Sequence, residues 1–274
     1  MIENTILLTG IPRSGTTLTC ALLNEIEDCL ALPEPIRLEL HGDRMRAVAE
    51  IEDFLRTTRK HAIAGGAVMT KHRGGRIIDN FAAPPGWGGG LRPVLVEHGA
   101  IVPDRPLSPR FTLFVKHPAE FTVLADVLMD RLPLWAIVRH PLAVLSAWQT
   151  VDMPVNNGRM PTAEAFCPAL AADLDQEPDR LKRQVLLLAW LLGAYHRLSP
   201  DRIIRYEDLT ADPERTIWRL TGRMPKQPLA LTAVDPGRRY PDVDPRPLAR
   251  ALVPIAALAE RFYPDFSEGL SAWL

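Results

Sequence analysis

Residues 5–23, TILLTGIPRSGTTLTCALL, run from an apolar stretch through a turn bounded by Gly10 and Gly15 into Leu18 and Leu22, which with Ile26 keep helical spacing. Strand, glycine turn and amphipathic helix in that order make a phosphate cradle. Consecutive N–H groups at a helix N-terminus attract an anion, and glycine lets the backbone approach it closely. The interval from Gly10 to Gly15, followed by Thr16 and Thr17, is that of a nucleotide P-loop, with Thr16 where a nucleotidase carries lysine. That lysine reaches the β- and γ-phosphates, so a loop with Arg13 before the second glycine and threonine after it is poorly suited to hydrolysing ATP or GTP. It can still hold a phosphate through Ser14, Gly15, Thr16 and Thr17. An ordinary strand–turn–helix would show the same apolar spacing, so other segments must decide between the two readings.

Three further segments repeat the pattern of an apolar strand ending in charge. LWAIVRHPLAVLSAW, residues 134–148, ends its strand at Arg139 and opens a helix with Pro141, a residue suited to a first helical turn. Arg139 falls where open α/β sheets bind ligands, and its planar fork matches phosphate better than an ammonium does. FTLFVKHPAEF, residues 111–121, places Lys116 at the end of a strand, and RIIRYEDLTADPERTI, residues 202–217, places Tyr206, Glu207 and Asp208 after a short one. Glu207 and Asp208 also read as turn and helix caps.

Together these four segments resemble the sulfotransferases that use 3'-phosphoadenosine 5'-phosphosulfate, in particular bacterial enzymes related to the tyrosylprotein sulfotransferases. GIPRSGTT resembles the family's 5'-phosphosulfate loop and the Arg139 segment its 3'-phosphate motif. The common form has a serine eight positions after the arginine, which is Ala147 here, and Ser146 stands one residue earlier. The resemblance makes Ser146 a 3'-phosphate candidate and Arg139 the firmer one. KHP resembles the family's Lys-Asp-Pro turn with His117 in place of aspartate; His140 likewise replaces the aspartate after the arginine. A histidine beside a strand end is commonly structural, and neither is given a catalytic role. The resemblance assigns Lys116 to the bridging oxygen or the transferring sulfuryl group and Tyr206 to the adenine side. Relatives often close the nucleotide site with a basic C-terminal loop, which makes Arg238 and Arg239 candidates, with a solvated charged turn as the alternative.

Composition fits an α/β enzyme. With 274 residues, 47% hydrophobic and 24% charged, the chain can bury a substantial core as one domain over 1–274, with insertions at about 42–110 and 162–198. Apolar strands at 5–9, 29–32, 111–116, 134–139 and 202–206 alternate with helical patterns, which predicts a P-loop-type parallel sheet flanked by helices. Residues 42–63 read as a helix. Residues 64–110, with PPGWGGG, read either as part of the acceptor site or its lid, or as a solvated excursion. Around Leu186–Leu192 the helical pattern is apolar on all sides, which predicts burial. A formal charge of −1 argues against a nucleic-acid partner, so any basic site must be local. Cys20, Cys29 and Cys167 have no metal-like spacing and their odd number argues against a disulfide framework, so a reducing compartment is expected. No signal-peptide pattern precedes the first strand, and Val185–Ala194 is too short for the roughly 20 residues of a membrane span. A cytoplasmic, bacterial enzyme without membrane association is the expectation.

Moving a sulfuryl group from a phosphate to a hydroxyl needs cations where the phosphate leaves and a base where the acceptor loses its proton. Arg13, Lys116 and the loop N–H groups would serve the first end as preorganised donors. The scheme needs no metal, and no ligand-spaced His/Cys/Asp/Glu cluster appears. For the base, Glu34 in ALPEPI lies at the end of the second expected strand, 21 positions after Arg13. The tyrosylprotein sulfotransferases have a catalytic glutamate at that offset, whereas cytosolic sulfotransferases use a histidine, which keeps His72 and His98 open. The acceptor is expected to be a small hydroxylated molecule. A nucleotide kinase or phosphotransferase, and a non-catalytic nucleotide-binding protein, are the rival readings; Thr16 opposes the first, and retention of Lys116 with Glu34 opposes the second.

Overall fold

The computed structural model describes residues 2–229, 231 and 240–274, so Arg238 and Arg239 lie outside the described residues. Five parallel strands form the central sheet: β1 (Thr5–Gly10), β2 (Cys29–Pro33), β5 (Thr112–Lys116), β6 (Leu134–Val138) and β7 (Ile203–Arg205), in the order β2-β5-β1-β6-β7. A parallel sheet covered on both faces needs strands that are apolar at nearly every position, and these are. Leu7, Leu32, Leu113, Val115, Ala136 and Val138 enter one core. Their neighbours Leu8, Ala31, Phe114, Ile137 and Ile204 enter a second core on the opposite face. This is an α/β sheet of the P-loop type anticipated above.

Helix α1 (Thr16–Asn24) leaves the loop after β1 and buries Cys20, Leu22 and Leu23 in the second core. The first core is covered by α2 (Arg44–Ile63), Pro141–Trp148 and Arg180–Tyr195. The Asp43 side chain starts α2 by accepting from the N–H groups of Met45 and Arg46, both at 3.0 Å, which satisfies two orphan donors. Helix Arg180–Tyr195 departs from the all-round burial expected of it. Leu187, Leu188, Leu191 and Leu192 are buried, whereas Leu186 is 41% exposed.

The stretch 64–110 contains an antiparallel pair, β3 (Val68–His72) and β4 (Glu97–Ile101), which its composition hid. Its excursion between the two strands returns to the molecule at Phe81, Ala82 and Ala83, which are buried, while Trp87 in the glycine-rich tip is half exposed. Among the described residues no helix is long and apolar enough to cross a membrane. Cys20, Cys29 and Cys167 are free thiols.

Candidate active site

Each of the five parallel strands delivers a candidate residue at its C-terminal end. The loop Ile11–Gly15 follows β1, Glu34 follows β2, Lys116 closes β5, Arg139 follows β6 and Tyr206 follows β7. Parallel strands put all their C-terminal ends at one edge, which is the edge where such sheets bind ligands. The pairing of Leu8 with Lys116 and of Pro33 with Lys116 fixes how far each strand advances.

The loop after β1 is held by its Ile11 and Ser14 amides, which donate to the Ile137 and Ile11 carbonyls at 3.0 Å, and by three side-chain hydrogen bonds. Ser14 Oγ donates to the Ile137 carbonyl at 2.8 Å, Trp148 Nε1 to the Pro12 carbonyl at 2.9 Å, and Arg139 Nη1 to the Arg13 carbonyl at 3.2 Å. Arg13 and Gly15 have φ of 73° and 88°, the left-handed conformation that builds an anion-binding nest of successive N–H groups. Gly10 must be glycine: a Cβ there would lie 2.3 Å from the Ile137 carbonyl oxygen. A Cβ on Gly15 would lie 2.5 Å from Cδ2 of Tyr206, whose ring therefore packs directly on the loop. Arg139, 3% exposed, stacks its guanidinium 4.6 Å from the centre of that ring and donates to the Tyr240 hydroxyl at 3.3 Å. A cavity of about 130 Å³ results, lined by Arg13, Gly15, Thr16, Thr17, Arg139 and Tyr206, with Asp79 and Asn80 from the long excursion.

Glu34 stands beside this cradle in a cluster of three charges. Its Oε1 is 2.6 Å from Lys116 Nζ, and its Oε2 pairs with Lys71 Nζ. Both ammonium groups lie over the Phe81 ring, at 4.9 Å for Lys116 and 5.5 Å for Lys71. Burial acts to raise the Glu34 pKa, but Lys116 and Lys71 outweigh it and hold the carboxyl at about 2. The backbone of Glu34 is also unusual, with φ of 50°, and its N–H donates to the Lys116 carbonyl at 2.7 Å. Cys20, in α1 nearby, is no nucleophile here, since burial pushes its thiol up to about 12.

A second cavity, about 320 Å³, opens from this cluster and is lined by Glu34, Lys71, Phe81 and Val94 on one side and Met153, Val155 and Met160 on another. The excursion 64–110 thus contributes to both cavities, and Asn80 Oδ1 accepts from Arg13 Nη1 at 2.9 Å.

His117, His98 and His72 bond to the backbone. His117 accepts from the Ile36 N–H at 3.0 Å through Nε2 and faces Glu120 at 3.0 Å through Nδ1, the structural part expected of it. His98 Nε2 bonds to the Pro35 carbonyl at 2.8 Å, and His72 Nδ1 accepts from the Gly75 N–H at 3.1 Å. His140 caps nothing with its ring, and burial lowers its pKa. Ser146 is turned into its own helix: its Oγ donates to the Leu142 carbonyl at 2.8 Å, so its one proton is already engaged. Glu207 ties two strand ends together, accepting from the His140 N–H at 3.0 Å and the Tyr263 hydroxyl at 2.8 Å, while Asp208 pairs with Arg205. Lys71, Asn80, Phe81 and Tyr240 are the site residues that sequence reasoning missed. Lys71 adjoins His72, which had been singled out, but it lies in an unrecognised strand.

No protein-family model matches the chain, and no curated protein does. Solved structures similar to it include the sulfotransferase domain from the curacin biosynthetic pathway, at 15% identity over 85% of this chain and 84% of that one, with a TM-score of 0.38. The sulfotransferase STF9 from Mycobacterium avium is 16% identical over 94% of this chain and 77% of that one, with a TM-score of 0.38. The sulfotransferase STF1 from Mycobacterium tuberculosis H37Rv is 18% identical over 96% and 77%, with a TM-score of 0.36.

Proposed function

We propose that the protein is a sulfotransferase that moves a sulfuryl group from 3'-phosphoadenosine 5'-phosphosulfate to an acceptor hydroxyl and releases 3',5'-bisphosphoadenosine. The observation that carries this reading is the placement of Arg139: a buried guanidinium at the end of β6, bonded to the carbonyl of a phosphate loop that lacks the nucleotidase lysine. A nucleotide with a second phosphate away from the transferring end is what such a pair of anion sites accommodates. The cradle suits the 5' end because Arg13 and Gly15 take the left-handed conformation of an anion-binding nest and both line the cavity.

The donor supplies the sulfuryl group when bound, and the chain does the rest. The loop N–H groups and Arg13 hold the 5'-phosphate, Arg139 reads the 3'-phosphate, and Tyr206 flanks the adenosine. Ser146 joins Arg139 only if its hydroxyl leaves Leu142. Arg238 and Arg239 are retained as candidates for closing the nucleotide site. Lys116 stabilises charge on the bridging oxygen, and Glu34 takes the proton of the acceptor hydroxyl. Between two ammonium groups Glu34 is ionised but weakly basic. Its basicity rises when Lys116 turns from it toward the charge developing on the leaving phosphate, so one movement serves both ends of the transfer. Neither His72 nor His98 lines the cavity that holds Glu34, which favours the glutamate over them. The scheme assigns no role to a metal.

Thermal-shift titrations with bisphosphoadenosine, ATP and GTP test the donor, followed by transfer from labelled donor. A ligand at a hundredfold excess over its dissociation constant adds about 2.7 kcal/mol of stability, so binding is plain when present. Bisphosphoadenosine should stabilise well beyond ATP and GTP. Equal or greater stabilisation by ATP with phosphoryl transfer would make the protein a phosphotransferase, and binding without any transfer would leave a nucleotide-binding protein.

A further inference from the structure

The cavity beside Glu34 carries information about the acceptor that the phosphate cradle does not. Its walls are largely apolar, with Phe81, Val94, Met153, Val155 and Met160 offering no hydrogen-bond partner. At about 320 Å³ it lies at the small end of ligand pockets, which span roughly 300–1,000 Å³. Its charges are mostly spent on one another. Glu34 is paired with Lys116 and Lys71, Glu120 faces His117, and Arg159 is held by Glu164 and Asp175. Of the charged side chains that line the cavity, three are carboxylates, Glu34, Glu120 and Asp152, and two are cations, Lys71 and Arg159. Asp152 is exposed on the cavity lining.

We infer that the acceptor is a small hydroxy compound with an apolar body and no negative charge, seated with its hydroxyl at Glu34 and its far end toward Asp152. The inference rests on the sulfotransferase reading for its chemistry, and on the cavity alone for its selectivity. A sugar would bury hydroxyls against Phe81, Val94, Met153, Val155 and Met160, which cannot bond them, and an anion would meet an excess of carboxylates.

A matched set of para-substituted phenols decides the point: 4-ethylphenol, tyramine and 4-hydroxyphenylacetate share a ring and a reactive hydroxyl and differ in terminal charge, with methyl glucoside as the polar control. Binding is measured by calorimetry on the donor-free protein, and transfer is measured separately with labelled donor. 4-Ethylphenol and tyramine should bind, and each should exceed 4-hydroxyphenylacetate by about two- to fivefold in affinity and in kcat/KM, the size of effect one exposed like charge produces. Asp152→Lys should reverse the order of tyramine and 4-hydroxyphenylacetate. Preference for the glucoside or for 4-hydroxyphenylacetate, or absence of binding by 4-ethylphenol, overturns the inference. If the phenols bind in the expected order but no sulfate is transferred, the cavity assignment stands and the reaction reading fails. If sulfate passes only to the glucoside, the reverse holds.

Discussion

The phosphate cradle is made of backbone and the cluster around Glu34 is made of side chains. Every amide of the cradle comes from one contiguous run, Ile11–Thr17, fixed by carbonyl contacts to Ile137, Trp148 and Arg139. Its partial charges do not titrate, so pH leaves them alone. The cluster instead brings three full charges from three segments, Glu34 after β2, Lys116 in β5 and Lys71 in β3. Each can be removed by one substitution, and the Glu34 carboxyl titrates in the acid range. The two regions share a signature, a non-glycine residue in the left-handed region: Arg13 at φ 73° in the cradle and Glu34 at φ 50° in the cluster. Such conformations cost about 1–3 kcal/mol each and collect at functional sites. On the proposed function, binding and chemistry fall in separate regions, and substitutions should separate them.

The largest effect is expected at the cluster. Glu34→Gln keeps shape and removes basicity, so kcat should fall by about 10²–10⁴, with bisphosphoadenosine affinity nearly unchanged by calorimetry. An active, less stable Glu34→Gln would make the residue structural. The same carboxyl should dominate acid stability. Its folded pKa of about 2 lies below the ordinary value of 4.5, so the unfolded chain binds more protons in that window. Stability rises with pH through it, is fully present above 4.5 and is lost as pH falls toward 2, a contribution of roughly 3 kcal/mol at most. Urea titrations across that range should show the slope in the native protein and its loss in Glu34→Gln.

At the cradle the expected effects are smaller and pH-independent. Gly15→Ala places a Cβ 2.5 Å from the Tyr206 ring at a φ of 88°, so it should displace Tyr206 and cost about 1–3 kcal/mol in stability. Nucleotide affinity should fall with it, while the acid-stability slope of Glu34 remains. The smallest effect belongs to Ser146→Ala. With its proton on the Leu142 carbonyl, Ser146 should change bisphosphoadenosine affinity by less than about threefold, whereas a loss near that of one charge-assisted hydrogen bond, about 10-fold or more, would show that the hydroxyl turns to the ligand.

The same contrast explains what could be read from the chain. The five strands announce themselves because each is buried on both faces, and the cradle, Arg139, Lys116 and Tyr206 follow because each adjoins its own strand end. β3 and β4 were illegible: a two-stranded pair with Met69 and His98 partly exposed gives no apolar run. Lys71 and Asn80 reach Glu34 and Arg13 across 37 and 67 residues, a juxtaposition set by long-range packing rather than by any local pattern. Leu186 appeared buried because its window is apolar throughout, but the helix has only one side against the core.

The central claim is that Arg139 reads a second phosphate. Calorimetry with bisphosphoadenosine and 5'-AMP, on the native protein and on Arg139→Ala, tests it most directly. A charge-assisted hydrogen bond contributes about 1.5–3 kcal/mol, so the native protein should prefer bisphosphoadenosine by about 10- to 100-fold, and Arg139→Ala should lose that preference while keeping its affinity for 5'-AMP. Equal weakening of both ligands, or no native preference between them, would contradict the account.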